Sequence, residues 1–210
     1  MRIFIVFIVL NLFPAVTFWL NAQEIILIRH AEVQLDSDGW MGAKKAAEFR
    51  KEYDTAPIIR FDPESILAKL PKRITDTIYV SGLPRSIATG LYLFGDSANI
   101  VSMNILNEFE MHIIWLPVYL PYKGWTFLSR SLWLLGNESP GTESYRETKK
   151  RIQKVCAFIE KKASRNNQVI LVTHGFLNRN IAKELKRRGW SRIQNDGKTN
   201  LGATILRKKQ

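Results

Sequence analysis

The chain predicts an α/β protein, a three-layer α/β/α sandwich around a mostly parallel central sheet. Three observations carry this. Short runs rich in Ile, Val and Leu at 24–28, 77–81, 99–105 and 168–173 read as strands buried on both faces. Longer segments between them repeat apolar residues at helical spacing. The two kinds alternate along the chain, the order that yields parallel pairing through helical crossovers. At 210 residues and 46% hydrophobic, the chain can bury one sizeable core, and no repeat, Gly/Ser linker or low-complexity tract divides it.

In order, residues 1–22 stand apart. Arg2 is followed by an apolar run from Ile3 to Leu20 and by small Ala22 before Gln23 and Glu24. The pattern predicts a signal peptide cleaved after Ala22, or an uncleaved N-terminal membrane anchor, since the run is nearly long enough to span. Either places the domain at 23–210 outside the cytoplasm, exported to the periplasm or held at the membrane facing outward. A strand at Glu24–Ile28 comes next, then a helix over about 42–53 with Ala43, Ala46, Ala47 and Phe49 turned inward. "TIYVS" forms the second strand, and Pro84 opens a helix, a position where a missing N–H costs nothing. The third strand covers about Asn99 to Ile105. Segment 111–136, with Trp115, Tyr119, Tyr122, Trp125, Phe127 and Trp133, reads as an insertion: extra helix packed on the core, or an aromatic lid. A long helix over about 144–163 presents Tyr145, Ile152, Val155, Cys156 and Ile159 on one stripe, with Thr142 or Ser144 as its cap. "QVILVT" is a buried strand, Leu177, Ile181 and Leu185 mark a helix, and "GATILR" closes the chain as an edge strand.

The formal charge is +12, or +11 without Arg2 (30 basic against 19 acidic residues), which favours anionic partners. The basic residues sit in helical segments such as "KKRIQK" without interleaved aromatics, so they read as solvated helix faces, not a nucleic-acid surface. A single cysteine, Cys156, excludes an internal disulfide and a Cys-based metal site, and reads as core. His112 has no partner at metal-ligand spacing and reads as structural.

Chemistry concentrates at strand ends, where side chains are held by the sheet yet can meet a ligand. His30 and His174 each follow an apolar strand directly and each precede a small residue, Ala31 and Gly175, that lets a ligand approach the backbone. Arg29, Arg85 and Glu108 lie at corresponding places. Two guanidiniums, two imidazoles and a carboxyl at one edge would suit a tetrahedral dianion, because guanidinium donors match phosphate oxygens in a fixed fork. Their charge would keep a neighbouring imidazole neutral and its lone pair available.

"LIRHAE", "SGLPRS", "LNEFE" and "VTHGF", in this order, resemble the histidine phosphatase superfamily with its phosphoglycerate mutase-like fold, over about Glu24 to Leu206. The resemblance implies a metal-independent phosphomonoester hydrolase, with no cofactor, acting on a small phosphorylated substrate through a phosphohistidine. His30 would be the nucleophile, Arg29 and Arg85 would hold phosphoryl oxygens, His174 would donate to the transition state, and Glu108 would be the general acid, with Glu110 as its rival. The family's usual Gly after Arg-His is Ala31 here, and Asp36 stands where many mutases and sugar phosphatases carry a phosphate-touching Asn. Its charge would repel a second phosphate, which disfavours a mutase-type phosphotransferase. An envelope glycan or lipid phosphate would fit an exported enzyme. The reading from a different class is a non-catalytic, membrane-tethered anion-binding protein, and a zinc hydrolase using both histidines is a third. Oligomeric state is left open.

Overall fold

The computed structural model describes residues 22–36, 39–137 and 142–208. Almost all of the predicted signal or anchor segment lies outside the described residues. In chain order the elements are β1 (Gln23–Arg29), β2 (Trp40–Met41), α1 (Ala43–Thr55), α2 (Pro63–Leu67), β3 (Thr77–Ser81), α3 (Pro84–Phe94) and β4 (Asn99–Met103). A short 3-10 turn at Asn104–Leu106 leads to β5 (Leu120–Pro121), α4 (Tyr122–Leu134), α5 (Tyr145–Asn166), β6 (Gln168–Thr173), α6 (Gly175–Arg187), β7 (Ser191–Asn195) and β8 (Ala203–Lys208).

The main sheet has six strands in the order β4-β3-β6-β1-β8-β7. The first four run parallel, and β8 and β7 close it antiparallel. Successive side chains on a strand point to opposite faces, so each buried strand feeds two cores. Ile25 and Leu27 of β1 join Leu171, Ile159 and Ile181 under α5 and α6. Ile26 and Ile28 join Val80, Ile170 and Val172 beneath the opposite layer, which includes α3. This is the predicted three-layer arrangement. Its helices obey local rules: Ser144 and Glu147 form a reciprocal capping box at the start of α5, and Asp62 caps α2, whose first residue is Pro63.

The expected edge strand at the C-terminus is a correction. β8 lies inside the sheet, because β7 pairs along its outer side with a register shift between Arg192 and Gln194. β7 carries one large apolar side chain, Ile193, and it is exposed, so no hydrophobic alternation announces the strand. Backbone pairing with β8 makes it.

Segment 111–136 forms an extended arm, the short strand β5 paired with β2, and α4. Trp125 is fully buried with Met41, Ala43, Ala46 and Phe49, and its indole N–H donates to the Met41 carbonyl at 2.7 Å. Trp133 is buried against Phe109, whereas Trp115, Tyr119 and Phe127 are exposed. Among the described residues no helix is long and apolar enough to cross a membrane.

Candidate active site

Strands β3, β6 and β1 are neighbours, so whatever follows them emerges side by side. Arg29 is in register with Thr173, which sets His30 and His174 next to each other. Their ring centroids are 5.1 Å apart, and they are only 3% and 1% exposed. Arg85 enters from the first turn of α3, just past β3, and is equally buried. Its position in a helix, not in the preceding turn, rests on Pro84 occupying the first helical place.

Hydrogen bonds assign the nitrogens of His30. His30 Nδ1 lies 2.6 Å from the Ala31 carbonyl oxygen. A carbonyl only accepts, so Nδ1 carries the proton and Nε2 carries the lone pair. His174 Nε2 lies 2.7 Å from Ser81 Oγ and 3.4 Å from Ser86 Oγ, leaving its buried Nδ1 with no partner in the protein. Arg29 Nε and Arg85 Nε are likewise buried and unpartnered. A buried polar atom left without a partner costs about 1–3 kcal/mol, so orphans on three neighbouring residues mark a place where a ligand would supply the missing partners, and the two arginine donors among them suit an anion.

Electrostatics agree. Burial, then the Arg85 guanidinium, lowers the His30 pKa from 6.5 to about 3, with Arg29 and Arg50 adding to the effect. Burial and Arg85 hold His174 well below its ordinary value too. Both imidazoles are neutral at physiological pH, as a nucleophilic nitrogen requires.

The scaffold holds these groups tightly. Thr89 Oγ1 accepts from Ala31 N at 2.9 Å and donates to the Arg85 carbonyl at 2.6 Å, tying the end of β1 to α3. Asn178 bonds Thr173 and the Ile28 carbonyl, locking β6 to β1 below the histidines. The 196–202 loop braces Arg29: its main chain pairs with Leu201 and Gly202, and its Nη1 donates to the Lys198 carbonyl at 2.5 Å. Leu201 adopts a left-handed φ of 61°, unusual for a residue with a side chain.

Glu108 follows β4 and the 3-10 turn. Its carboxylate accepts from Phe109 N at 3.0 Å and from Phe176 N at 3.3 Å, two residues beyond His174. Glu108 and Glu110 both line a cavity of about 680 Å³, but only Glu108 is tied to the His174 helix. His112, expected to be structural, is exposed on the same cavity wall, because the arm after Glu110 runs along the cavity before turning into β5. None of the segment's Trp, Tyr or Phe rings lines it.

All five residues proposed from the sequence thus come to one sheet edge. Ser81, Ser86 and Thr89 were not legible, because small hydroxyls carry no signal until a partner is known. Arg50, Tyr53 and Asp54 of α1 were also missed: the helix was expected to end at about 53, and an Arg and an Asp four residues apart carry no signal beyond that of any (i, i+4) pair. Yet Asp54 Oδ1 also accepts from Arg85 Nη1 at 2.8 Å, and the Tyr53 ring lies 6.5 Å from that of His30. Cys156 is core as expected, its thiol pushed up to about 12 by burial. Among the described residues no cluster of His, Cys, Asp or Glu could hold a metal ion.

Comparisons with known proteins agree with this geometry. Residues 64–210 match the family profile described as Histidine phosphatase superfamily (branch 1). That stretch contains Arg85, Glu108 and His174; Arg29 and His30 lie upstream and are brought to it by the β1–β6 pairing. Among solved structures, the chain is similar to the Rv3214 protein of Mycobacterium tuberculosis at 15% identity, covering 89% of this chain and 94% of that one with a TM-score of 0.57. It is similar to YhfR of Bacillus stearothermophilus at 16% identity, with coverages of 78% and 80% and a TM-score of 0.54. For the alpha-ribazole phosphatase of Shigella flexneri the values are 17%, 87%, 94% and 0.50. At these identities the likeness is one of fold. No curated protein matches the sequence. With the fold, the ordered motifs and a profile match over most of its length together, the chain belongs to the histidine phosphatase superfamily as an enzyme of its branch 1.

Proposed function

We propose that the enzyme hydrolyses small phosphomonoesters in two steps through a phosphohistidine at His30. The observation that supports this best is the neutral His30, its lone pair on Nε2, beside unpartnered Arg29 Nε, Arg85 Nε and His174 Nδ1. In the first step Nε2 attacks phosphorus in line, the P–O bond to the alcohol breaks, and Glu108 gives its proton to the departing alkoxide. Arg29, Arg85 and His174 Nδ1–H take up the charge on the three equatorial oxygens. In the second step Glu108 takes a proton from water, the new oxygen bonds to phosphorus, the P–N bond breaks and orthophosphate leaves. Arginine and imidazole do the charge neutralisation, so the chemistry calls for no metal.

The alcohol portion would rest in the adjoining cavity. Much of its wall is polar, with Lys51, Asn104, Glu110 and His112 beside Leu83 and Met111, which suits a hydroxylated or charged leaving group better than a wholly apolar one. Export belongs to the same proposal. β1 begins at Gln23, at the end of the sheet opposite His30, so a leader or anchor before it would join the domain on the side away from the site.

The test uses the protein from Gln23 onward and an aryl phosphate. Turnover should survive a chelator, a denaturing quench should trap an acid-labile phosphohistidine, and His30→Ala should abolish both. Turnover undiminished in His30→Ala would end the proposal, and loss of turnover to the chelator would transfer it to a metal mechanism.

A further inference from the structure

Helix α1 sets a second layer against the phosphoryl site. Asp54 Oδ1 accepts from Arg85 Nη1 at 2.8 Å and from Arg50 Nη1 at 2.6 Å, so one oxygen holds two guanidiniums. The Tyr53 ring lies 5.1 Å from Arg85 Cζ and 5.8 Å from Arg50 Cζ, covering both. The Arg85 side chain is 2% exposed and that of Asp54 36%, so the pair spans the boundary between the buried hole and the open cavity. Arg50 and Asp54 both line that cavity.

A guanidinium is a rigid plane on a flexible stem, and its direction is set by whatever holds one of its edges. In Arg85 the Nη1 edge is held by Asp54, while Nε is buried without a partner. We propose that Asp54 is the positioning residue of the phosphoryl site: by pinning Nη1 it directs the free Nε edge of Arg85 at the phosphoryl group, and with the same oxygen it draws in Arg50 as a third cation. Arg29, Arg50 and Arg85 against Asp54 leave two net positive charges, matching a phosphomonoester dianion. The proposal rests on the phosphoryl-binding reading of Arg85.

A rival account has opposite consequences. If Asp54 were an internal competitor that the phosphoryl group must displace, removing its charge would tighten anion binding, as simple Coulomb attraction to the arginines also requires. Positioning requires the reverse. Orthophosphate is titrated calorimetrically into the wild-type domain, Asp54→Asn, Asp54→Ala, Arg85→Lys and the Asp54→Ala/Arg85→Lys double variant, alongside KM and kcat for an aryl phosphate. We expect about tenfold weaker orthophosphate binding in Asp54→Ala, a parallel rise in KM and a smaller change in kcat. Asp54→Asn, which keeps an acceptor oxygen, should fall between wild type and Asp54→Ala. The double variant should bind no more weakly than Arg85→Lys alone, because the aspartate acts through that arginine. Tighter or unchanged binding in either Asp54 variant, or additive losses in the double variant, overturns the proposal. Should Asp54→Ala not fold, the sign of the change in Asp54→Asn decides. A wild-type domain that binds no orthophosphate overturns the phosphoryl-site reading itself, whereas wild-type binding indifferent to Asp54 overturns only the positioning role.

Discussion

Gly175 lies directly against the side chain of Arg29: a Cβ at position 175 would stand 3.2 Å from Arg29 Cδ and 3.3 Å from Nε. That Nε is one of the unpartnered donors of the site. The absence of a side chain at the first residue of α6 therefore sets where the guanidinium sits. Gly175→Ala should leave the fold intact, since alanine suits a helix, while moving Arg29 by a few tenths of an ångström. We expect orthophosphate to bind several-fold more weakly with a thermal midpoint near that of wild type, measured by calorimetry and by thermal melting.

Glu108 and Glu110 can be separated by leaving group. A general acid matters most where the alcohol is a poor leaving group. Glu108→Gln should slow hydrolysis of an alkyl phosphate by about 100-fold or more, and that of p-nitrophenyl phosphate much less. Glu110→Gln should show no such dependence. The check is the ratio of kcat values on the two substrates.

Acid should destabilise the domain through its histidines. His30 is held at about 3 against 6.5 in the unfolded chain, and His174 is lowered as well. Between those values the unfolded state binds more protons than the folded one, so stability rises with pH there. Their contribution is complete above about 6.5 and is lost progressively as the pH falls toward 3. The thermal midpoint should therefore drop from pH 7 to pH 5, and His30→Ala should flatten that slope.

Thr89→Val keeps the volume but removes the acceptor for Ala31 N and the donor to the Arg85 carbonyl. The stranded buried N–H should cost about 1–3 kcal/mol, read from denaturant melts. Activity should fall further than stability, because both tethered segments carry site residues.

Trp125→Ala distinguishes core from lid. The indole is fully buried and bonded to Met41, so its removal should cost about 3–5 kcal/mol. Substituting exposed Trp115 or Phe127 should cost less than about 0.5 kcal/mol.

Much of the architecture was legible because strong local signals coincide with it. The strand Thr77–Ser81 and the helix opening at Pro84 follow from a β-branched run and from proline at the first helical position. The strand ending at Thr173 is a wholly buried apolar run, and His174 and Gly175 behind it mark a strand end. β7 was illegible, since its pairing energy lies in backbone bonds to β8 and its side chains face solvent. Asp54 and Arg50 were illegible as site residues because an (i, i+4) ion pair looks the same wherever its helix docks.

By itself, then, the sequence determined which residues stand at strand ends and what chemistry they bring, because periodicity and residue type are local properties. Only the tertiary structure decided that β1 pairs with β6, which sets His30 5.1 Å from His174, and that α1 docks so that Asp54 meets Arg85. Those relations join residues up to 144 positions apart in sequence, and only packing free energy summed over the whole core selects among such pairings.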